Sequence, residues 1–82
     1  SIIEIYPNSK NNLLNIDLEF ESSLDLEIAI VDVYGKEIIS LEKNNFMMGV
    51  IQLNLNNIKN GIYNCLIKTS QKTYTRKLFI VK

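Results

Sequence analysis

The stretch from Leu55 to Tyr63 (Leu-Asn-Asn-Ile-Lys-Asn-Gly-Ile-Tyr) constrains the fold more than any other part of this chain. Apolar and polar residues alternate up to Leu55, a polar run closed by Gly61 follows, and a second apolar run opens on Ile62 and Tyr63. This reads as a strand, a corner and another strand. A tyrosine just past such a corner can bury its ring between two sheets and return its hydroxyl to a backbone group a few residues upstream. That geometry needs two facing sheets, so the segment points to a small antiparallel β-sandwich.

The rest of the chain agrees. Leu14, Ile16, Leu18 and Phe20 alternate with Asn15, Asp17 and Glu19, the period of a strand with one buried face and one wet face. Seven short apolar runs are expected as strands: Ile2 to Tyr6, Leu14 to Phe20, Leu26 to Val33, Glu37 to Leu41, Ile51 to Leu55, Ile62 to Thr69, and Tyr74 to Val81. Leu26 to Val33 is nearly continuous apolar, as suits a central strand covered on both faces. Lys43-Asn44-Asn45 is expected as a loop, Met47-Met48-Gly49 as a bend and Ser70-Gln71-Lys72 as a hairpin turn. Thirteen isoleucines favour a pleated surface, and eleven asparagines sit mostly between the apolar runs, where they suit turns. The fold class is therefore all-β, an antiparallel immunoglobulin-like sandwich of about seven strands. Eighty-two residues allow one domain, covering 1–82.

Composition excludes several kinds of chemistry. The chain has no histidine, so it holds no His-based triad or zinc site. It carries no glycine-rich phosphate loop and no paired carboxylates at a readable spacing, so neither an enzyme nor a cofactor is expected. Cys65 has no partner for a disulfide and reads as a buried thiol acting as a small apolar residue. No apolar run approaches the ~20 residues needed to span a bilayer, so no membrane insertion is expected. Ser1 does not open a signal peptide and reads as a cut within a longer protein.

The zero net charge hides a segregation. Residues 1–42 hold nine acids and two bases, a net of −7; residues 43–82 hold seven bases and no acid. Cross-strand pairing between early and late strands accounts for this without any partner. A basic patch facing an acidic partner is the sharper account. Nucleic acid is not expected, because aromatic residues do not interleave with the bases.

Four short motifs remain. Tyr6-Pro7-Asn8 joins a strand to a turn, with Pro7 fixing φ. Asp32-Val33-Tyr34-Gly35-Lys36 marks a hairpin in which Gly35 can take positive φ and Asp32 can accept a turn N–H. Gly61 and Tyr63 form the corner. Arg76-Lys77-Leu78-Phe79-Ile80-Val81-Lys82 is a last strand with a basic start and a basic final residue. Each alone is turn or strand chemistry, and Leu78, Ile80 and Val81 can be read as core filling.

In this order and spacing the motifs resemble the type A C-terminal sorting domain of the type IX secretion system, over nearly the whole chain. That family opens on Tyr-Pro-Asn-Pro, carries an Asp-x-x-Gly-Lys/Arg hairpin and a Leu-x-x-Gly-x-Tyr corner, and ends on a Lys-Leu strand. Tyr6, Pro7, Asn8, Asp32, Gly35, Lys36, Gly61, Tyr63, Lys77 and Leu78 take those positions. Ser9 stands where a second proline is usual, and Asn60 where the corner often has proline or a small residue.

The resemblance implies a secretion signal at the end of a cargo protein. The domain would fold in the periplasm and be recognised by an outer-membrane translocon and its shuttle protein. A sortase-like peptidase would cut it off, and the cargo would reach the cell surface or the medium. Arg76, Lys77, Leu78, Val81 and Lys82 are the receptor-binding candidates. They would act through edge-strand pairing together with attraction to an acidic surface. A fibronectin-like or carbohydrate-binding adhesion module is the alternative. It would use exposed aromatics such as Tyr6, Tyr34 and Tyr74, which are scattered among different strands.

Overall fold

The period-two segment folds as it reads. Leu14, Ile16, Leu18 and Phe20 are buried, while Asp17 and Glu19 stay partly exposed on the other side. Asn15, the one buried polar residue among those described, is satisfied because its Oδ1 accepts from Gln52 Nε2 at 2.9 Å. The computed structural model describes residues 1–8 and 10–82. The strands are β1 (Ile2–Asn8), β2 (Leu13–Val31), β3 (Glu37–Asn54), β4 (Gly61–Lys68) and β5 (Thr73–Ile80). Every pairing is antiparallel.

The described residues form five strands, where seven runs were expected. Two pairs of runs are fused: β2 contains both Leu14 to Phe20 and Leu26 to Val31, and β3 contains both Glu37 to Leu41 and Ile51 to Asn54. Ser22-Ser23 lacks the proline or glycine that would break a strand, so the backbone stays extended through it. The Lys43-Asn44-Asn45 loop likewise lies inside β3, with Asn45 at a positive φ of 53°.

Such long strands cannot be straight. Nineteen residues would measure about 63 Å if fully extended, whereas the longest dimension of the molecule is 35 Å. The bend falls where the β2–β3 ladder loses register, between Glu19 and Leu24 and again between Leu24 and Leu26. The Asn45 N–H donates to Asp25 Oδ1 across this bend at 2.9 Å. Phe20 fills its inside, edge-on to Phe46 at 6.5 Å and tilted against Tyr74 at 6.3 Å. Gly49 has φ 148°, and a Cβ there would meet the Phe46 ring at 3.7 Å.

The bent sheet makes two layers. In the first, residues 13–19 of β2 run between β1 and residues 48–54 of β3. In the second, residues 24–31 of β2 run between residues 37–46 of β3 and β4, with β5 outermost. Counted by layer, the seven runs reappear as three segments facing four. Their inward side chains form one cluster, from Leu14, Ile16 and Leu18 across to Ile28, Ile30, Tyr63, Cys65, Ile67, Leu78 and Ile80. Residues 24–31 are central in their layer, but only one face meets the core. Ala29 on the other face is buried within the sheet at 1% exposure, with Ser40 and Leu66 as its cross-strand neighbours.

Candidate functional site

Register places all four motifs at one end of the sandwich. The turn after Asn8 leads into Leu13, opposite Asn54, so it lies where β3 ends and the corner begins. The corner delivers the chain to Gly61 at the start of β4. Val31 pairs with Asn64, three residues into β4, so the Asp32 hairpin emerges at this same end. Gly61 pairs with Ile80, so β5 finishes here too.

Side chains fix each turn locally. Asn8 Oδ1 accepts the Lys10 N–H at 3.1 Å, and the Asn8 carbonyl accepts from Asn11 at 3.3 Å. Tyr6 and Pro7 remain in β1, which runs on through Asn8; an edge strand tolerates the missing proline N–H. Ser9, the family's second proline position, lies outside the described residues. In the hairpin, Asp32 Oδ1 accepts two N–H groups, from Tyr34 and from Lys36, both at 2.9 Å. Gly35 there has φ 83°, and Lys36 is exposed.

The corner has the tyrosine geometry. Tyr63 is 8% exposed, and its hydroxyl donates to the Lys59 carbonyl at 2.6 Å. Leu55 and Ile58 are buried beneath the loop, and the Ile58 N–H donates to the Leu55 carbonyl at 3.0 Å. Gly61 serves a different purpose from a positive-φ turn glycine. It lies inside β4, and a Cβ would meet the Tyr63 ring at 3.5 Å, an ordinary contact.

Asparagines tie these parts together. Asn12, at φ 51°, donates from Nδ2 to Asn56 Oδ1 at 3.0 Å, and its carbonyl accepts the Leu55 N–H at 2.7 Å. Asn60 Oδ1 accepts the Lys82 N–H at 3.0 Å, and Lys82 Nζ donates to the Asn56 carbonyl at 3.2 Å. The first turn, the corner and Lys82 therefore share one hydrogen-bonded network. The sequence reading treated asparagines as turn residues and missed this linking role; their abundance was the available signal.

The last strand divides by parity. Tyr74, Leu78 and Ile80 face inward, with Leu78 and Ile80 buried at 4% and 2%. Val81, read as core filling, is instead 79% exposed, because it follows Ile80 on the outward side. Lys77 and Phe79 also point out, with Lys77 Nζ 5.6 Å from the Phe79 ring centroid. Arg76 is exposed and donates from Nη1 to the Thr75 carbonyl at 3.0 Å. Of the receptor-binding candidates, Arg76, Lys77, Val81 and Lys82 are thus on the surface, whereas Leu78 anchors the strand from beneath. Phe79, 58% exposed, was missed, although alternation with Leu78 requires it to face out.

Cross-strand charge pairing accounts for little of the segregation. Lys68 to Glu27, at 3.4 Å, is the one ion pair among the described residues. The bases of β5, Arg76 and Lys77, are exposed. Burial pushes the Cys65 thiol up to about 11, so it stays protonated and apolar in use. The three tyrosines named for a sugar-binding face do not share one: Tyr6 projects from β1, Tyr34 from the hairpin, and Tyr74 packs on Phe20.

A model of the family described as secretion system C-terminal sorting domain matches residues 4–82. No curated protein matches the chain.

Proposed function

This chain belongs to the family of secretion system C-terminal sorting domains, which are sorting signals for type IX secretion, and from that premise we propose how the signal is read. The role implies interaction with the secretion system and export to the cell surface or the medium, and the family is not a catalytic one. The cargo precedes the domain in a longer protein. The domain folds in the periplasm, and an outer-membrane translocon with its shuttle protein recognises it there. A sortase-like peptidase then removes it from the cargo.

The observation that carries this reading is the position of β5. It ends the strand order and, among the described residues, pairs with β4 alone, so its outer backbone edge is open to a receptor strand. Arg76 and Lys77 are exposed on that strand and Lys82 follows it, and these bases favour an acidic receptor surface. The motif turns at the end of the sandwich serve this strand by fixing where it stops. Tyr6, Pro7, Asn8, Asp32, Gly35, Lys36, Gly61 and Tyr63 are accordingly structural residues of the signal.

The test is a fusion. A periplasmic fluorescent protein carrying this domain at its C-terminus is expected to reach the surface or the medium in cells with a working type IX translocon. It is expected to stay inside translocon-null cells. Equal export from both strains would refute the reading.

A further inference from the structure

The outward face of β4 and β5 carries apolar surface that the fold does not need. Ile62 and Phe79 pair directly across the ladder and are 46% and 58% exposed. Val81 follows at the next outward position. Thr73 and Thr75 occupy equivalent outward positions earlier in β5, so a polar β-branched residue is sufficient for the strand itself. An exposed aromatic at the end of such a row is the kind of feature that marks an interaction surface.

The charges on the two strands that carry the row have one sign. Residues 43–82 contain no acid, and Lys77 lies over the Phe79 ring. Acids on this face lie on other strands: Glu27 on β2 is paired with Lys68, and Glu37 stands beyond Val31 and Asn64, three strands from Lys77. The pairing of β4 with β5 ends at Gly61 and Ile80, yet Val81 is not left loose. The next residue, Lys82, is held by its N–H on Asn60 Oδ1 and by its ammonium on the Asn56 carbonyl.

Building on the sorting function proposed above, we infer that Ile62, Lys77, Phe79 and Val81 form the docking surface of the domain. Its partner is a protein of the secretion machinery that offers an apolar groove bordered by carboxylates. Asn60 is a positioning residue that keeps Val81 in line with Phe79. Charge complementarity selects this occupant: a groove with a basic border would face Lys77 with no compensating acid on either strand.

The experiment uses the reporter fusion in translocon-positive cells, with melting of each purified domain measured in parallel. Phe79→Thr and Val81→Thr are expected to melt within about 4 °C of wild type, as exposed positions do. Both are expected to be exported less, by about tenfold for Phe79→Thr. Should Phe79→Thr melt lower, Val81→Thr carries the comparison, because it lies beyond the ladder. Lys77→Glu is expected to lose export and Lys77→Arg to keep it. Asn60→Ala is expected to lose export while Asn60→Asp, which retains the acceptor for Lys82, restores it. A merely structural Asn60 would instead lower melting and export together.

Wild-type export from both threonine variants would overturn the surface, and equal export of Lys77→Glu and Lys77→Arg would overturn the acidic border. A Phe79-dependent dimer in sedimentation would assign the row to a second copy instead. If the wild-type fusion itself is not exported, the sorting reading fails. If it is exported and the variants are too, only the docking surface fails.

Discussion

Removing one oxygen atom tests the corner on which the architecture rests. Tyr63→Phe keeps the buried ring and deletes the hydroxyl that donates to the Lys59 carbonyl at 2.6 Å. The ring is 8% exposed, and buried Leu55 and Ile58 pin the loop just before Lys59. The loop therefore cannot swing outward to rehydrate Lys59 without exposing apolar side chains. Leaving a partly buried carbonyl unpaired costs about 1–3 kcal/mol. The bond lies near the surface, so some water reaches it and the lower half of that range applies, about 1–2 kcal/mol.

For a domain of this size, each kcal/mol moves the melting temperature by about 4–8 °C. A fall of roughly 5–15 °C is expected. In urea, with a slope of about 1 kcal/mol per M, the midpoint should drop by about 1–2 M while the slope stays constant. Gly61→Ala is the control. Gly61 lacks a positive φ, and its added Cβ would sit 3.5 Å from the Tyr63 ring in ordinary contact. Its cost should stay within about 0.5 kcal/mol. An unchanged midpoint for Tyr63→Phe, or an equal loss in both variants, would show that the hydroxyl does not hold the corner.

Three further outcomes are expected. Asp32→Ala strands the two N–H groups of Tyr34 and Lys36 at an exposed turn, and should cost about 1 kcal/mol in denaturant melts; Gly35→Ala, at φ 83°, should cost about 1–2 kcal/mol. Burial raises the Cys65 thiol from 9.0 to about 11, so the native state keeps its proton longer than the unfolded chain does. The stability this contributes is complete below pH ~9 and is lost as pH rises through about 11, a fall of roughly 3 kcal/mol by linkage. The Cys65→Ala variant should lack that part of the alkaline slope, and identical slopes would refute it.

Local pattern carried most of the fold. The alternation in Leu14 to Phe20, the Asp32 hairpin and the Tyr63 corner are each decided within ten residues, and each formed as its chemistry dictates. The strand count was not legible, because Ser22-Ser23 and Lys43 to Asn45 look like turns when they are read alone. They remain extended because ladder pairs on either side, Glu19 with Met48, Leu24 with Phe46 and Leu26 with Lys43, hold the two bent strands together, and the aromatic rings fill the inside of the bend. Similarly, Val81 is apolar and was read as core, but the parity of β5 sends it outward. The asparagine network could not be read either, since it joins residues 44, 22 and 26 positions apart.

The motif residues and the docking row divide the work of one small domain. Asp32, Gly35 and Tyr63 satisfy or shape backbone within their own turns, and those turns meet where β5 ends. None of the three needs to touch a receptor to matter for sorting. By fixing the corner, Tyr63 fixes Asn56 and Asn60, and through them the path of Val81 and Lys82. Loss of a motif residue should therefore reduce export in proportion to how far it loosens the corner. Loss of Phe79 or Lys77 should reduce export with the corner intact. A receptor that reads an edge strand and its outward side chains gains little from checking the turns directly, since a misfolded corner would already present Val81 out of line. The turns can then be under strict chemical constraint although their only effect on recognition is geometric.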